Sequence, residues 1–159
     1  MKRRYVLTAT AAWGAAGFCR RALAHHGWSS FDQERPIYLE GKVVKSVWQN
    51  PHAELQIDVL PGLKVPADLA RRTLPAQTAP VDGKALLAKA MVPTRLDKRW
   101  EVELAPLTRM QAWNVAEIKA GTSIAVLGFT FTAEKGEAIL RVEYLFVGGS
   151  TYALRSSPA

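Results

Sequence analysis

Five stretches of the chain alternate between apolar and polar residues or are rich in β-branched residues, the pattern of half-buried β-strands. The clearest is HAELQIDVL, in which apolar and polar side chains would lie on opposite faces. Asn50-Pro51 precedes it and Pro61-Gly62 follows it, and both dipeptides break strands. The predicted strands cover residues 37–49, 52–60, 99–105, 123–133 and 137–147.

Helical spacing occurs between the third and fourth predicted strands. Pro106 suits the first turn of a helix, and the apolar spacing after it predicts a helix over 107–117. The last two strands are predicted to form a hairpin across a tight EKGE turn. The tail after Gly148-Gly149 is predicted to be irregular.

Residues 63–98 contain four prolines and fit no strand pattern. Two short segments, about 67–73 and 83–91, have helical character. We interpret 63–98 as a partly helical insertion between strands two and three. A connection of this length can serve a function, add flexibility or be a passive excursion.

The resulting order is β-β-β-α-β-β. It predicts a mainly β fold, a small five-stranded Greek-key barrel of the OB type with a helix between strands three and four. Gly41 would permit the sharp coiling of strand one that such a barrel requires. A plain β-sandwich is the alternative.

The first 24 residues are predicted to be an export signal. Lys2, Arg3 and Arg4 form a basic start, an uncharged stretch follows, and Ala22-Leu23-Ala24 supplies small residues for cleavage after Ala24. Arg3-Arg4 shortly before Val6-Leu7 is close to a twin-arginine pattern, although general secretion also uses basic starts. The mature protein, residues 25–159, would be a single periplasmic domain without a membrane span.

Cleavage changes the composition. The chain has 21 Lys+Arg, 14 Asp+Glu and a net charge of +7, but five of the basic residues and no acidic ones lie before His25. The mature chain would therefore carry about +2, which gives no support to nucleic-acid binding. Cys19 would leave with the signal, so no disulfide would stabilise the fold.

Several motifs resemble those of a family of small exported bacterial proteins of unknown function. They are the Ala-His-His start at 24–26, the Leu-x-Gly-x-Val strand at 39–43 and the Trp-x-Asn-Pro-His motif at 48–52. The chain departs from that pattern at Gly27-Trp28, at Thr122 and in the 63–98 insertion. The resemblance implies the fold and the compartment, and it implies no particular chemistry.

The three histidines carry the candidate chemistry. After cleavage, His25 would offer both its α-amine and its imidazole, and His26 and His52 would add two further imidazoles. Nitrogen ligands without a thiolate favour Cu(II) over Cu(I). Two modes are open: a brace of His25 with His52, or a chelate through the His25 amine and the amide and imidazole of His26.

No catalytic set is evident. Serines near the histidines lack a nucleophile elbow, and phosphate-binding loops and dinucleotide fingerprints are absent from the sequence. The chain is therefore predicted to be a binding protein rather than an enzyme. The alternative to copper is a non-enzymatic periplasmic accessory module that holds a peptide, a glycan or a partner protein. In that case His52 would be a turn residue that bonds the backbone.

Overall fold

The fold was analysed in a computed structural model that describes residues 27–159. The predicted signal and two of the predicted ligands, His25 and His26, lie outside this range. The strands are β1 (Ile37–Val47), β2 (Glu54–Val59), β3 (Arg99–Glu103), β4 (Ser123–Phe129), β5 (Ile139–Val147) and β6 (Ser150–Ala153). The helices are α1 (Gly83–Lys89) and α2 (Leu107–Ala112), and short 3₁₀ turns lie at Trp28–Ser30, Leu69–Arg71 and Thr132–Glu134.

The strands form a closed barrel. Their order is β3-β2-β1-β4-β5-β6, and a parallel pairing of β3 with β5 joins the two sides. The first five strands thus enclose a core, with β6 as an extra strand on β5. The prediction of a small five-stranded OB-like barrel is confirmed, including α2 between β3 and β4 and the insertion between β2 and β3.

Alternation along the strands places the apolar side chains inside. Leu55 of β2 lies opposite Val102 of β3, which pairs with Leu140 of β5. All three are almost fully buried in one cluster, to which Met110 of α2 also belongs. The helix therefore packs on the interior, as the OB topology requires.

Two glycines allow neighbouring strands to approach closely. A Cβ atom at Gly41 would overlap the carbonyl of Asp58, and a Cβ atom at Gly128 would overlap the carbonyl of Arg141. Gly41 was expected to permit coiling of strand one, and the structure shows that it allows β1 to approach β2 closely. Gly128 makes the equivalent approach between β4 and β5, next to a register shift.

The insertion packs against the outside of the barrel. Leu69 and Leu87 from the insertion are buried with Tyr38, Leu127 and Tyr144 from the strands. The two predicted helical segments correspond to the 3₁₀ turn at 69–71 and to α1. Asp82 caps α1 by accepting a hydrogen bond from the amide of Ala85 at 3.0 Å.

Two boundary predictions were wrong. The helix expected over 107–117 ends at Ala112, and Asn114 has a positive φ of 53° that turns the chain away. The β4–β5 connection is residues 130–138 rather than a tight turn, because β4 ends at Phe129 and left-handed Ala133 and Glu134 prolong the loop.

The tail was expected to be irregular and instead forms β6. Gly148 and Gly149 have φ values of 58° and 80°, the left-handed pair of a two-residue hairpin turn. This turn folds β6 back onto β5, where Ser150 pairs with Val147. The same glycines that suggested an end to regular structure therefore create another strand.

Candidate metal centre and its surroundings

His52 lies at one end of the barrel, immediately before β2. It is half-buried and follows the cis peptide bond between Asn50 and Pro51. The next residue, Ala53, donates its amide to the carbonyl of Ala105 at 3.0 Å. The amide of Leu107 donates to Oδ1 of Asn50 at 3.3 Å. The backbone around His52 is thus fixed against the start of α2.

A row of charged side chains starts two residues after His52 and runs around the outside of the barrel. Glu54 of β2 lies opposite Glu103 of β3, and Glu103 pairs with Arg141 of β5. The guanidinium of Arg141 donates to Oε2 of Glu103 through Nε at 2.7 Å and through Nη2 at 2.6 Å. Both side chains are about nine-tenths buried.

The described residues before β1, 27–36, form what we call the N-terminal segment, and this segment contacts the far end of the row. The indole ring of Trp28 lies 5.5 Å from the Arg141 guanidinium carbon, and it packs edge-on against Phe129 at 6.3 Å. The Trp28 ring thus contacts a side chain of β5, which is separated from β2 by the single strand β3, and β2 begins two residues after His52.

A second set of contacts holds the N-terminal segment in this place. We call Trp28, Gln33, Gln77, Glu143 and Arg155 the anchor cluster. Arg155 stacks on the Trp28 ring at 3.8 Å and donates to Glu143 at 2.7 Å and to Gln33 at 2.7 Å. Gln33 donates to the carbonyl of Trp28 at 3.2 Å, and Gln77 donates to Glu143 at 3.0 Å.

The outer face of β2 and β3 has an acidic character. Burial raises the pKa of the Glu101 carboxyl, and the nearby carboxylates of Glu54, Glu103 and Glu137 raise it further. Oε1 of Glu101 is buried and accepts no hydrogen bond. The environment of Glu101 therefore disfavours the ionised form of its carboxyl group.

The predicted ligands are not tested by this geometry. Only His52 is in the structure, and no three His, Cys, Asp or Glu side chains between 27 and 159 are grouped to hold a metal ion. The predicted copper site needs the residues just before Gly27, where the description of the chain begins. Within the same range, no helix is long and apolar enough to cross a membrane.

Sequence reasoning missed the anchor cluster. Its members come from the N-terminal segment, the insertion, β5 and the tail, so no short motif contains them. One signal was present: β5 is buried along almost its whole length, yet it carries Arg141 and Glu143. Opposite charges inside an otherwise apolar strand indicate buried partners from elsewhere in the chain.

An apolar groove lies between the end of β2 and the end of the insertion. Its volume is about 920 Å³, and its lining includes Leu60, Leu63, Val92 and Leu96. Leu96 is 94% exposed and Leu60 is 46% exposed. This groove is a candidate surface for a partner molecule.

The fold and this site define a small closed β-barrel whose N-terminal segment is packed on its outer wall. The profile of a family described as "Family of unknown function (DUF6152)" matches residues 15–63. The matched segment contains all three histidines, the β1–β2 hairpin and the Asn-Pro-His turn. No curated protein and no solved structure matches the chain.

Proposed function

We propose that the protein is exported to the periplasm, is cleaved after Ala24, and binds one Cu(II) through its new N terminus and His52. The α-amine and imidazole of His25 would supply two nitrogens, and the imidazole of His52 would supply a third. This is the brace mode. Nitrogen ligands of this kind suit Cu(II).

One observation supports the proposal: the N-terminal segment contacts Arg141, whose partner Glu103 lies opposite Glu54, two residues after His52. Two residues before Gly27 can extend the chain by ~7 Å.

Export rests on the three-part sequence of residues 1–24. Mass spectrometry of the protein recovered from the periplasm should give a chain that begins at His25. An uncleaved chain that accumulates in the cytoplasm would contradict the proposed compartment, and it would also remove the amine ligand.

Copper binding is tested with three forms of the mature protein: the cleaved chain, a chain with one additional N-terminal residue, and the cleaved His52→Ala variant. The additional residue moves the amine away from His25 and should weaken Cu(II) binding by more than ~100-fold, beyond the usual effect of losing an outer-shell partner. His52→Ala should also weaken it. Affinity should fall as pH drops through the imidazole and amine pKa values, ~6.5 and ~7.7–8.0, because protons compete with the metal.

Gln56→Ala is the matched control, because Gln56 lies on the same outer face of β2 as Glu54 but one strand position further from His52 along that face. It should leave the affinity unchanged. Equal binding by all the forms would show that the copper is adventitious. A cleaved His26→Ala variant separates the two modes: it should abolish the dipeptide-type chelate and spare the brace.

The exposed groove favours a second candidate, an accessory module that binds an apolar segment of another periplasmic protein. A photo-crosslinking residue at Leu96 should then give a discrete adduct in exporting cells, while the same residue at exposed Glu117 should not. If neither position yields an adduct, the groove binds no such partner. His52→Ala should not affect the adduct, which distinguishes this function from copper binding.

A further inference from the structure

Another cavity lies on the outer face of the barrel, beside the insertion. Its volume is about 480 Å³, which is within the usual size of small-molecule sites. One row of cross-strand neighbours lines it: Glu40 of β1 lies opposite Ala125 of β4, and Ala125 pairs with Phe146 of β5. Thr151 of β6 ends the row opposite Phe146. Arg72 lines the cavity from the insertion, so barrel and insertion both contribute to it.

The cavity begins where the insertion stops covering the sheet. Two positions along the strands, Tyr38, Leu127 and Tyr144 form the neighbouring row and are buried with Leu69 and Leu87 of the insertion. In the row that lines the cavity, three of the four side chains are half-buried instead. Polar groups in this row are therefore accessible to a ligand.

The carboxylate of Glu40 is held in place and keeps one free oxygen. The buried hydroxyl of Tyr38 donates to its Oε2 at 2.8 Å, whereas Oε1 accepts no hydrogen bond from residues 27–159. Burial and the Glu40 carboxylate raise the pKa of the Tyr38 hydroxyl, so Tyr38 remains the donor of this pair. The backbone is fixed too, because the carbonyl of Glu40 accepts from the amide of Leu60 at 2.9 Å. Oε1 is thus available to a cation or a donor in the cavity.

The guanidinium of Arg72 is positioned by two contacts. Its Nε donates to Oδ2 of Asp68 at 3.0 Å, and its central carbon lies 5.0 Å from the centre of the Phe146 ring. Nη1 and Nη2 donate to no acceptor in the described part of the chain. Arg72 and Glu40 therefore line one cavity with opposite charges and do not pair with each other. The two free nitrogens of a guanidinium suit a carboxylate.

We propose that this cavity binds a small zwitterion of amino-acid or dipeptide size, with its ammonium group on Glu40 and its carboxylate on Arg72. Such a ligand would displace no existing ion pair, because each charged group uses only part of its hydrogen-bonding capacity within the chain. Ala125 lies between Glu40 and Phe146, the ring on which the guanidinium stacks. Its small side chain leaves room for the short chain that joins the two charges of the ligand. The site contains no histidine and is independent of the proposed copper site.

A series of ligands tests the two charges separately. The metal-free full chain is titrated calorimetrically with the free amino acids of proteins and with the dipeptide Ala-Ala, which also distinguishes the two ligand sizes. The N-acetyl and C-amide forms of the tightest ligand lack one charge each. Each should bind ~10–100-fold more weakly, as expected for the loss of one charged hydrogen bond. Absence of binding at millimolar concentration, or equal binding of the blocked forms, would overturn the proposal.

Variants assign each charge of the ligand to its residue. Glu40→Gln keeps an oxygen for Tyr38 but loses the charge, so it should bind the zwitterion ~10–100-fold more weakly and the N-acetyl form as the wild type does. Arg72→Gln should weaken the zwitterion equally and leave the C-amide form unaffected. Ala125→Val keeps both charges and fills the gap, so it should weaken every form.

Arg71→Gln and Glu117→Gln are the matched controls, because both residues are exposed and neither lines the cavity. They should bind the zwitterion as the wild type does. If Glu40→Gln fails to fold, Arg72→Gln still decides, because its ion pair with Asp68 is exposed and contributes little to stability. Wild-type affinity in Arg72→Gln would overturn the assignment. His52→Ala should bind the zwitterion normally, so failure of the copper proposal leaves this one intact.

Discussion

Inside the barrel, Leu55, Val102 and Leu140 come from three neighbouring strands and meet because each follows the alternation of its own strand. Outside β5, Trp28 and Arg155 meet although they are 127 positions apart in the sequence. The interior is stabilised by many small apolar contacts, whereas the outer layer depends on a few buried polar ones. The loss of one apolar contact should therefore change the stability of the interior only gradually, whereas the loss of one charged or polar group should destabilise the outer layer strongly.

The largest expected effect is in the outer layer. Glu143→Ala removes the carboxylate that accepts from Arg155 and Gln77 and leaves their donors without it. We expect the free energy of unfolding to fall by ~3–5 kcal/mol, the usual result of breaking one side of a buried ion pair. Urea unfolding followed by circular dichroism measures this loss.

Asp58→Ala is the control for Glu143→Ala. It breaks the ion pair with Arg99, whose two side chains are about half exposed. Exposed pairs contribute little to stability, so the unfolding curve should barely move. If Glu143→Ala and Asp58→Ala lose similar amounts of stability, burial does not make the Glu143 ion pair more important than the exposed Asp58 ion pair.

The next effect concerns the insertion. Leu87 of α1 is 2% exposed and packs with Tyr38, Leu127 and Tyr144 from the barrel. Leu87→Ala should therefore cost ~2–4 kcal/mol through lost apolar contact and the cavity left behind. If the insertion is part of the same cooperative unit as the barrel, the urea curve should keep a single transition with an unchanged slope.

Leu96→Ala makes the same change in the same insertion at a side chain that is 94% exposed. Its stability should equal that of the wild type. A separate early transition in Leu87→Ala would instead show that the insertion unfolds independently of the barrel. Deletion of residues 66–94 would then be tolerated.

The same contrast explains which parts of the fold the sequence predicts. The alternation in β1 and β2 and the start of a helix next to Pro106 are local patterns, and the structure confirms both of them. Strand β6 was missed because a glycine pair can end regular structure or turn a hairpin. Only the presence of a free edge on β5 decides between the two.

The same distinction applies to the candidate site, of which one part could be predicted from the sequence and the other could not. The position of His52 at the start of a strand follows from the Asn50-Pro51 break, which a sequence displays directly. Trp28, Glu143 and Arg155 give no such signal, because their contacts arise only when the tail, β5 and the N-terminal segment come together. Copper ligation by His25, His26 and His52 stays a prediction.

The smallest expected effect is a gain in stability rather than a loss. It concerns Glu101 on the outer face of β3. Burial and the nearby carboxylates raise the pKa of Glu101, and its Oε1 accepts no hydrogen bond. Its ionised form is therefore less favourable in the folded chain than in the unfolded chain. Glu101→Gln keeps the shape and removes the charge, so it should raise the free energy of unfolding at pH 7 by ~1 kcal/mol.

The pH dependence gives this prediction its sign. A raised pKa means that the folded state holds the proton more tightly, so the wild type loses stability as pH rises from the ordinary value of ~4.3 through the raised one. Below ~4.3 the carboxyl is protonated in both states, and the advantage of Glu101→Gln should disappear. Urea midpoints measured at pH 7 and near pH 4 compare the two conditions, with exposed Glu117→Gln as the control. If Glu101→Gln is instead less stable than the wild type at pH 7, the Glu101 carboxylate has a stabilising partner. The outer face of β3 would then depend on charge in the same way as the contacts of Glu143.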